Sequence, residues 1–205
     1  MQTIQKPKQD LHSVMAQRRS VRVLGNREIL PDDQLEALIG QALQLTPTAF
    51  HAQEQRLVLL RGARHAWFWD LVHQTLKSHV PPERFPETER KLDGFRAGTG
   101  TILLYQDTEI IKSLQAQMPT YRDKFPHFAQ QASGMLKYSL WVSLVAAGYG
   151  VSLQHYTELI EHNVQHALSI DPAWSMVGQI PFGSPEETPS DKEFLPLDQL
   201  FLRFD

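Results

Sequence analysis

The pattern of apolar and polar positions alternates between helical stripes and short, continuous apolar runs. The clearest stripe lies in residues 31–45, where Leu35, Leu38, Ile39 and Ala42 recur at the spacing that places side chains on one face of a helix. Pro31 with two following aspartates suits the start of that helix, because the acids face the positive end of its dipole. Weaker stripes predict further helices over residues 9–18, 68–76, 83–96, 108–117 and 158–168.

Continuous apolar runs predict buried strands. The sequences RLVLL (56–60) and TILLY (101–105) are short, apolar and rich in branched side chains, which is typical of strands covered on both faces. Runs at 148–153 and 175–183 predict two more strands. The end of the chain, 194–204, is also strand-like, and an apolar chain end is normally held against another element. Helices alternating with four or five strands predict an α/β or α+β layered fold.

Residues 128–147 form the predicted helix that says most about architecture. Apolar side chains occupy nearly every face of this segment, and its Ala, Ser and Gly residues permit close approach of a neighbour. A helix of this kind is enclosed on several sides. The pattern leaves open whether the enclosure is a domain core or an interface between subunits.

Composition narrows the class of protein. The chain has 205 residues, 41% of them hydrophobic and 21% charged, with a formal net charge of −3. We therefore predict a single globular domain over 1–205, with residues 1–8 flexible. There is no cysteine, which excludes disulfides, thiolate metal sites and cysteine nucleophiles. We see no secretory signal, no membrane-spanning run and no general basic field, so we expect a cytoplasmic protein without nucleic-acid or membrane partners.

The first candidate site is RRSVR at residues 18–22. Three arginines and a serine follow a short predicted helix, and cations at a helix C-terminus are mildly stabilising. For the isolated motif this surface role is the favoured interpretation. The alternative is an anion site, since guanidinium groups make paired, charge-assisted bonds to phosphate oxygens and a serine hydroxyl adds a donor.

Two polar loops are further candidates, each with a plain structural alternative. Thr48, His51 and Gln53 lie between a predicted helix and a buried strand, where layered folds often place ligand groups. Gln154 and His155 directly follow the third predicted strand. Both loops are equally compatible with simple helix termination and chain reversal.

The remaining candidates are single charged or titratable residues. Lys192 stands in a long, proline-punctuated loop and by itself would be a solvated lysine. His162 and His166 are four apart on a predicted helix, a spacing that can chelate a metal. No third ligand is indicated, so we favour a solvated helix face and predict no metal site.

Taken in order, four segments resemble the nitroreductase family of flavin enzymes, in its compact branch without long helical insertions. They are RRSVR (18–22), TPTAFHAQEQRLVLL (46–60), AAGYGVSLQHY (146–156) and the stretch that begins WSMVGQIPFGSP and continues to Lys192. The resemblance implies an α+β fold with a mixed, mostly antiparallel central sheet flanked by helices. It also implies an intertwined homodimer with a swapped C-terminal segment and one FMN at each side of the interface. Helix 128–147 would form the dimer core, and 194–204 would add an edge strand to the partner's sheet.

The resemblance implies roles for the basic residues. Arg18 and Ser20 would hold the FMN phosphate, and Arg19 would reach phosphate or ribityl oxygens. Lys192 would come from the late loop as the second phosphate cation. Arg22 would point toward the pyrimidine edge or the ribityl chain, where a positive charge would favour the anionic reduced flavin.

The resemblance also implies how the two polar loops act. Thr48, His51 and Gln53 would reach the ring edge from the partner chain. Gln154 and His155 would line the other side, with main-chain groups serving the flavin N5 and O4. Family members commonly carry asparagine at the position of His51, and a histidine there can change its charge near neutral pH.

The implied activity is that of an FMN-dependent NAD(P)H oxidoreductase. NADH or NADPH would act as a transient electron donor, and nitroaromatics, quinones or similar flat acceptors would be reduced in a ping-pong scheme. The flavin would carry the chemistry, so no protein nucleophile is expected. The alternative is a flavin- or ligand-binding regulatory protein on the same scaffold, with little or no turnover.

Overall fold

The structure is a computed structural model that describes residues 10–204. The segment 1–8, for which the sequence predicts flexibility, lies outside the described residues. The helices are α1 (Leu11–Gln17), α2 (Asp32–Leu45), α3 (Gly62–Lys77), α4 (Phe85–Arg96), α5 (Thr108–Gln117), α6 (Phe125–Ala147) and α7 (Thr157–Leu168). The strands are β1 (Leu24–Gly25), β2 (Gln55–Arg61), β3 (Gly100–Asp107), β4 (Gly150–Val151) and β5 (Trp174–Pro185). Short 3-10 turns cover Ala49–His51, Pro119–Lys124 and Leu197–Gln199.

The strands form one sheet in the order β1-β5-β3-β2, with β4 paired to β5. All of these strand pairs are antiparallel. An isolated parallel bridge joins Ser20 to Val151 beside the short strand β4. The predicted α+β fold with a mixed, mostly antiparallel sheet is therefore confirmed.

The central strand β3 explains how the core is divided. Its side chains alternate between the two faces of the sheet, as in any strand. Leu103 and Tyr105 pack with residues of α3, α4 and α7, whereas Ile102 and Leu104 pack with residues of α2 and α6. Residues 100–106 are buried throughout, because helices cover both faces. The continuous apolar run TILLY thus reports a strand enclosed between two helical layers.

Helix α6 begins at Phe125, three residues earlier than the pattern predicts, with a proline in its first turn. It ends at Gly148, whose φ of 102° allows the left-handed stop. One face is buried in the core through Leu136, Leu140 and Leu144. Met135 and Tyr138, on another face, are exposed. Within a single chain α6 is therefore buried on one side, and its enclosure on further sides stays a prediction.

The strand-like end of the chain does not form a strand in the described part of the protein. Its only regular element there is the 3-10 turn Leu197–Gln199. A strand needs a partner backbone for its hydrogen bonds, and within residues 10–204 this segment pairs with no strand. Its apolar side chains are exposed: Phe194, Leu195, Leu197, Leu200, Phe201, Leu202 and Phe204. The swapped segment and the intertwined dimer stay predictions.

No helix within residues 10–204 is long and apolar enough to cross a membrane.

Candidate functional site

The arginine segment, residues 18–22, runs along the edge of the sheet. After α1 ends, the backbone N–H of Val21 donates to the carbonyl of Val151 at 2.9 Å, and β1 pairs with the end of β5. Helix α1 is itself started by Asp10, whose carboxylate accepts from the backbone N–H of Ser13. These contacts fix residues 18–22 between α1 and β4, next to the chain that follows β5.

A cleft of about 400 Å³ lies between the arginine segment and the loop after β5. Its lining includes Arg19, Ser20 and Arg22 on one side and Lys192 on the other. The rest of the wall consists of Glu187, Thr188, Pro189 and Ser190. The structure therefore brings the predicted late lysine to the predicted arginine motif.

The charges around this cleft are mostly positive, with Glu187 as the one carboxylate among its lining residues. The pKa of the Lys192 ammonium is lowered, chiefly by the positive charge of Arg18 and to a smaller extent by burial and by Arg19. Within residues 10–204, no carboxylate lies within 4.0 Å of the cationic groups of Arg18, Arg19, Arg22 or Lys192. The Glu187 carboxylate accepts from backbone N–H groups and pairs with none of these cations, so an anion would stabilise the gathered positive charges.

Arg18 is positioned by an aromatic ring. Its guanidinium carbon lies 4.6 Å from the centre of the Trp141 ring, which belongs to α6. A guanidinium over an indole face gains a cation–π attraction and loses little of its ability to bind an anion in its own plane. Trp141 thus holds Arg18 while leaving its hydrogen-bond donors available.

A further cation, Lys91 of α4, is one that the sequence analysis missed. Its pKa is lowered by burial and then by the positive charge of Arg22. Its ammonium lies 5.5 Å from the centre of the Tyr156 ring and 5.7 Å from that of Phe95. A lone lysine on an amphipathic helix carries no local signal, so sequence reasoning had no means of connecting it to Arg22.

The Gln154–His155 turn is tied to β5. The backbone N–H of Gln154 donates to the Gln179 carbonyl at 2.8 Å, and the reciprocal bond is 2.9 Å. The side-chain amide of Gln154 donates to Ser152 Oγ and to the Leu153 carbonyl. The Gln154 side chain therefore folds back on its own strand, and His155 is the more exposed of the two, although its ring is partly buried.

Lys137 of α6 is the second cation that sequence reasoning missed. The pKa of His155 is lowered by burial and next by the charge of Lys137. The Lys137 pKa is itself lowered by burial. Lys137 and Trp141 are four residues apart on α6 and so share a helix face. The four-residue spacing of Lys137 and Trp141 could have indicated that both side chains belong to one site. An isolated lysine in an apolar helix is usually solvated, so this spacing did not single it out.

The loop from Thr48 to Gln53 has an unusual backbone. Phe50, His51 and Gln53 have φ values of 54°, 54° and 52°, in the left-handed region that non-glycine residues seldom occupy. The N–H of Gln53 donates to Thr48 Oγ1 at 3.0 Å. The Phe50 ring packs against Tyr121 at 5.8 Å between ring centres and against α6. Such conformations cost roughly 1–3 kcal/mol each and concentrate at functional sites.

This loop and the cationic cleft are separate within one chain. Thr48, His51 and Gln53 line a different pocket of about 160 Å³, which also includes Gln55 and Arg56. The structure thus assembles Arg19, Ser20, Arg22 and Lys192 in one cleft and places the three loop residues in another.

His162 and His166, the two histidines with metal-ligand spacing, both lie on the exposed side of α7. Across residues 10–204, no group of three or more His, Cys, Asp or Glu side chains is arranged to hold a metal ion.

Comparisons with known proteins show which protein family the chain belongs to. A model of the nitroreductase family matches residues 15–184. HBN1 of Saccharomyces cerevisiae, assigned to the nitroreductases, is 31% identical over 166 residues, which are 81% of this chain and 82% of that protein. The chain belongs to the nitroreductase family.

Solved structures agree with this assignment. Nitroreductase CinD from Lactococcus lactis in complex with nicotinic acid has a TM-score of 0.89 at 32% identity, covering 96% of this chain and 100% of that one. A structure from Desulfovibrio desulfuricans in complex with FMN has a TM-score of 0.67 at 22% identity, covering 97% and 98%. At that identity the second likeness is one of fold alone.

Proposed function

We propose that the protein is an FMN-dependent NAD(P)H oxidoreductase of the nitroreductase type. The observation that carries the proposal is the cleft in which Arg19, Ser20, Arg22 and Lys192 meet, with none of these cations in an ion pair among the described residues. Its geometry supports a flavin phosphate, and membership of the family supports the redox activity.

The residues of the cleft fit a phosphate monoester. Such a group carries between about −1.5 and −2 charges near neutral pH and presents three acceptor oxygens. Arg18 and Ser20 would bind these oxygens, with Lys192 opposite and Arg19 reaching the phosphate or the ribityl oxygens. Charge-assisted bonds of this kind are among the strongest hydrogen bonds in proteins. Binding would also relieve the mutual repulsion that lowers the pKa of Lys192.

Beyond the phosphate, the isoalloxazine ring would lie toward the second group of cations. Arg22 with Lys91, and Lys137 beside His155, would place positive charge near the ring. When bound, FMN supplies hydride uptake and electron transfer. Positive charge favours the anionic reduced form of the flavin, which raises its reduction potential. Because the pKa of His155 is lowered, this side chain would be neutral near pH 7 and would act as a hydrogen-bonding group at the ring edge.

A homodimer would complete the site. Thr48, His51 and Gln53 line a pocket apart from the cationic cleft, so they would reach the flavin of the partner rather than their own. Two exposed surfaces are available for such an assembly. One is an apolar groove between α2 and α6, and the other is the apolar tail 194–204. Large exposed apolar surface is typical of an interface.

Flat aromatic molecules are the proposed acceptors. Solved complexes of CinD contain nicotinic acid, chloramphenicol and 4-nitrophenol, and each of these molecules has an aromatic ring. We propose nitroaromatics, quinones or similar compounds, reduced in a ping-pong scheme in which NADH or NADPH binds and leaves before the acceptor.

The test is a visible absorption spectrum of the purified protein before and after anaerobic NADH and then NADPH. A yellow protein that bleaches supports the oxidoreductase and shows the preferred donor. A yellow protein that neither donor reduces favours a flavin-binding regulatory protein. A colourless protein that cannot take up added FMN refutes the flavin site.

Arg18→Ala tests the phosphate assignment directly. Flavin retention through gel filtration should fall more than activity at saturating FMN, because the lost contact concerns binding rather than chemistry. Arg84→Ala, which removes an exposed arginine at the start of α4, is the matched control. Unchanged retention in Arg18→Ala would show that this arginine does not hold the phosphate.

A further inference from the structure

We propose that Glu187 is a positioning residue that joins the late loop to the arginine segment and so assembles the phosphate cleft. This inference rests on the proposed function, since it concerns how that cleft is built. It assigns a role to a carboxylate in the wall of a site whose other charges are positive.

The contacts of Glu187 are with backbone, not with the nearby cations. One carboxylate oxygen accepts from the backbone N–H of Arg22 at 2.5 Å and from that of Val23 at 3.2 Å. Next to it, the N–H of Glu186 donates to the Val23 carbonyl at 3.0 Å. Three hydrogen bonds therefore connect residues 22–23 to residues 186–187.

These bonds lie just beyond the end of the pairing between β1 and β5. The pairing of β1 with β5 covers only Leu24 with Pro185 and Gly25 with Ser184. Toward Arg22, the Glu187 carboxylate takes over as the acceptor for the strand's N–H groups. Without it, two backbone donors would lose their protein partner, and the short strand pair and the bond from Glu186 N–H to the Val23 carbonyl would be left to tie the start of the loop that carries Lys192.

The charge of Glu187 works against an anion in the cleft. A negative group in that wall repels a phosphate, so its presence is explained by its hydrogen bonds. Backbone N–H groups bond well to a carboxylate, and a neutral amide oxygen in the same position would accept from them too. A positioning role and simple repulsion therefore predict opposite results for the alanine variant.

The experiment compares the dissociation constants of FMN and riboflavin by flavin fluorescence quenching. Riboflavin lacks the phosphate, so the ratio of the two constants isolates the cleft. In Glu187→Ala we expect the preference for FMN over riboflavin to fall by about tenfold or more, because the loop carrying Lys192 is released. Glu187→Gln should keep most of the preference, since its amide oxygen still accepts from both N–H groups.

Glu193→Ala is the matched charge control. Glu193 follows Lys192 directly and is exposed, and its removal deletes the same charge near the cleft. We expect its preference for FMN to be unchanged or slightly raised. If Glu187→Ala and Glu187→Gln both raise the preference as this control does, Glu187 acts only by repulsion and the proposal is wrong.

Amide hydrogen exchange separates this proposal from the proposed function. The Arg22 and Val23 amides should be protected in the wild-type protein and in Glu187→Gln, and should exchange faster in Glu187→Ala. Equal protection in all three proteins would overturn the positioning role, whether or not flavin binds. A wild-type protein with protected amides that binds neither FMN nor riboflavin would support the positioning role and refute the flavin function.

Discussion

Gly94 of α4 is the position where a single methyl group should disturb both stability and the site. A Cβ built there would lie 2.3 Å from the carbonyl oxygen of Arg22 and 3.5 Å from the Cα of Val23. Ordinary contacts of this kind begin at 3.4 Å. In Gly94→Ala, either α4 or the arginine segment must therefore move by roughly 1 Å, and the first atom in the way is backbone that cannot change rotamer.

Two effects of known size oppose each other in this variant. Replacing glycine by alanine inside a helix is worth up to about 1 kcal/mol in the absence of contacts. Overpacking of this severity costs about 1–3 kcal/mol. Gly40→Ala on α2 is the control, because a Cβ there meets nothing within 4 Å. The difference between the two variants cancels the helix propensity, and we expect Gly94→Ala to be less stable than Gly40→Ala by about 1–3 kcal/mol.

Urea unfolding followed by circular dichroism measures this difference, provided that the m-value is unchanged. Flavin affinity should fall in Gly94→Ala as well, because displacement of α4 moves Lys91 and displacement of the arginine segment moves Arg22. Equal stability of the two variants would show that α4 does not contact the backbone of Arg22. That result would also remove the structural basis for placing Lys91 beside the site.

Three further perturbations test other parts of the molecule. His65 is buried, and this burial lowers the pKa of its ring from the ordinary value of 6.5. As the pH falls below 6.5, the unfolded chain binds a proton at His65 more readily than the folded protein does. The free energy of unfolding therefore decreases as the pH falls. Urea unfolding between about pH 7 and pH 5 should show a shallower loss in His65→Gln, and an unchanged slope would refute this account. Lys137→Met should raise the pKa of His155 in an NMR titration, though not fully to its ordinary value because burial remains, whereas Lys112→Met on α5 should leave it unchanged. The double variant Phe201→Ser and Phe204→Ser should shift the protein toward monomer in sedimentation velocity, and an unaltered oligomeric state would exclude the tail as an interface element.

The hydrogen bonds around His65 fit a neutral imidazole ring. Trp69 Nε1–H donates to Thr101 Oγ1 at 2.9 Å, and the Thr101 hydroxyl donates to His65 Nδ1 at the same distance. His65 Nε2–H donates to the Arg96 carbonyl at 3.1 Å. Because Nε2 faces the Arg96 carbonyl, the neutral ring carries its proton there and leaves Nδ1 to accept from the Thr101 hydroxyl. Burial of the ring is what makes its protonation unfavourable.

Local pattern was sufficient to predict most of the helices and strands. The stripe in 31–45 corresponds to α2, and the apolar run TILLY lies within β3, because amphipathic spacing and continuous burial are properties of neighbouring residues. The ordered motifs were sufficient for the family, since RRSVR and the later loops keep their order and spacing along the chain. Both kinds of information are present in a linear sequence without any knowledge of contacts.

Other features depended on contacts between residues far apart in the chain. That Lys192 shares a cleft with Arg19 and Arg22, and that the charges of Arg22 and Lys137 lower the pKa of Lys91 and of His155, became clear only in the folded chain. No periodicity marks such pairs, because a lysine on a solvated face and a lysine in a site look identical locally. The tail 194–204 is a case in which the local pattern predicted too much. Its strand-like pattern forms no strand within the described chain, because a strand exists only where a second backbone accepts and donates its hydrogen bonds.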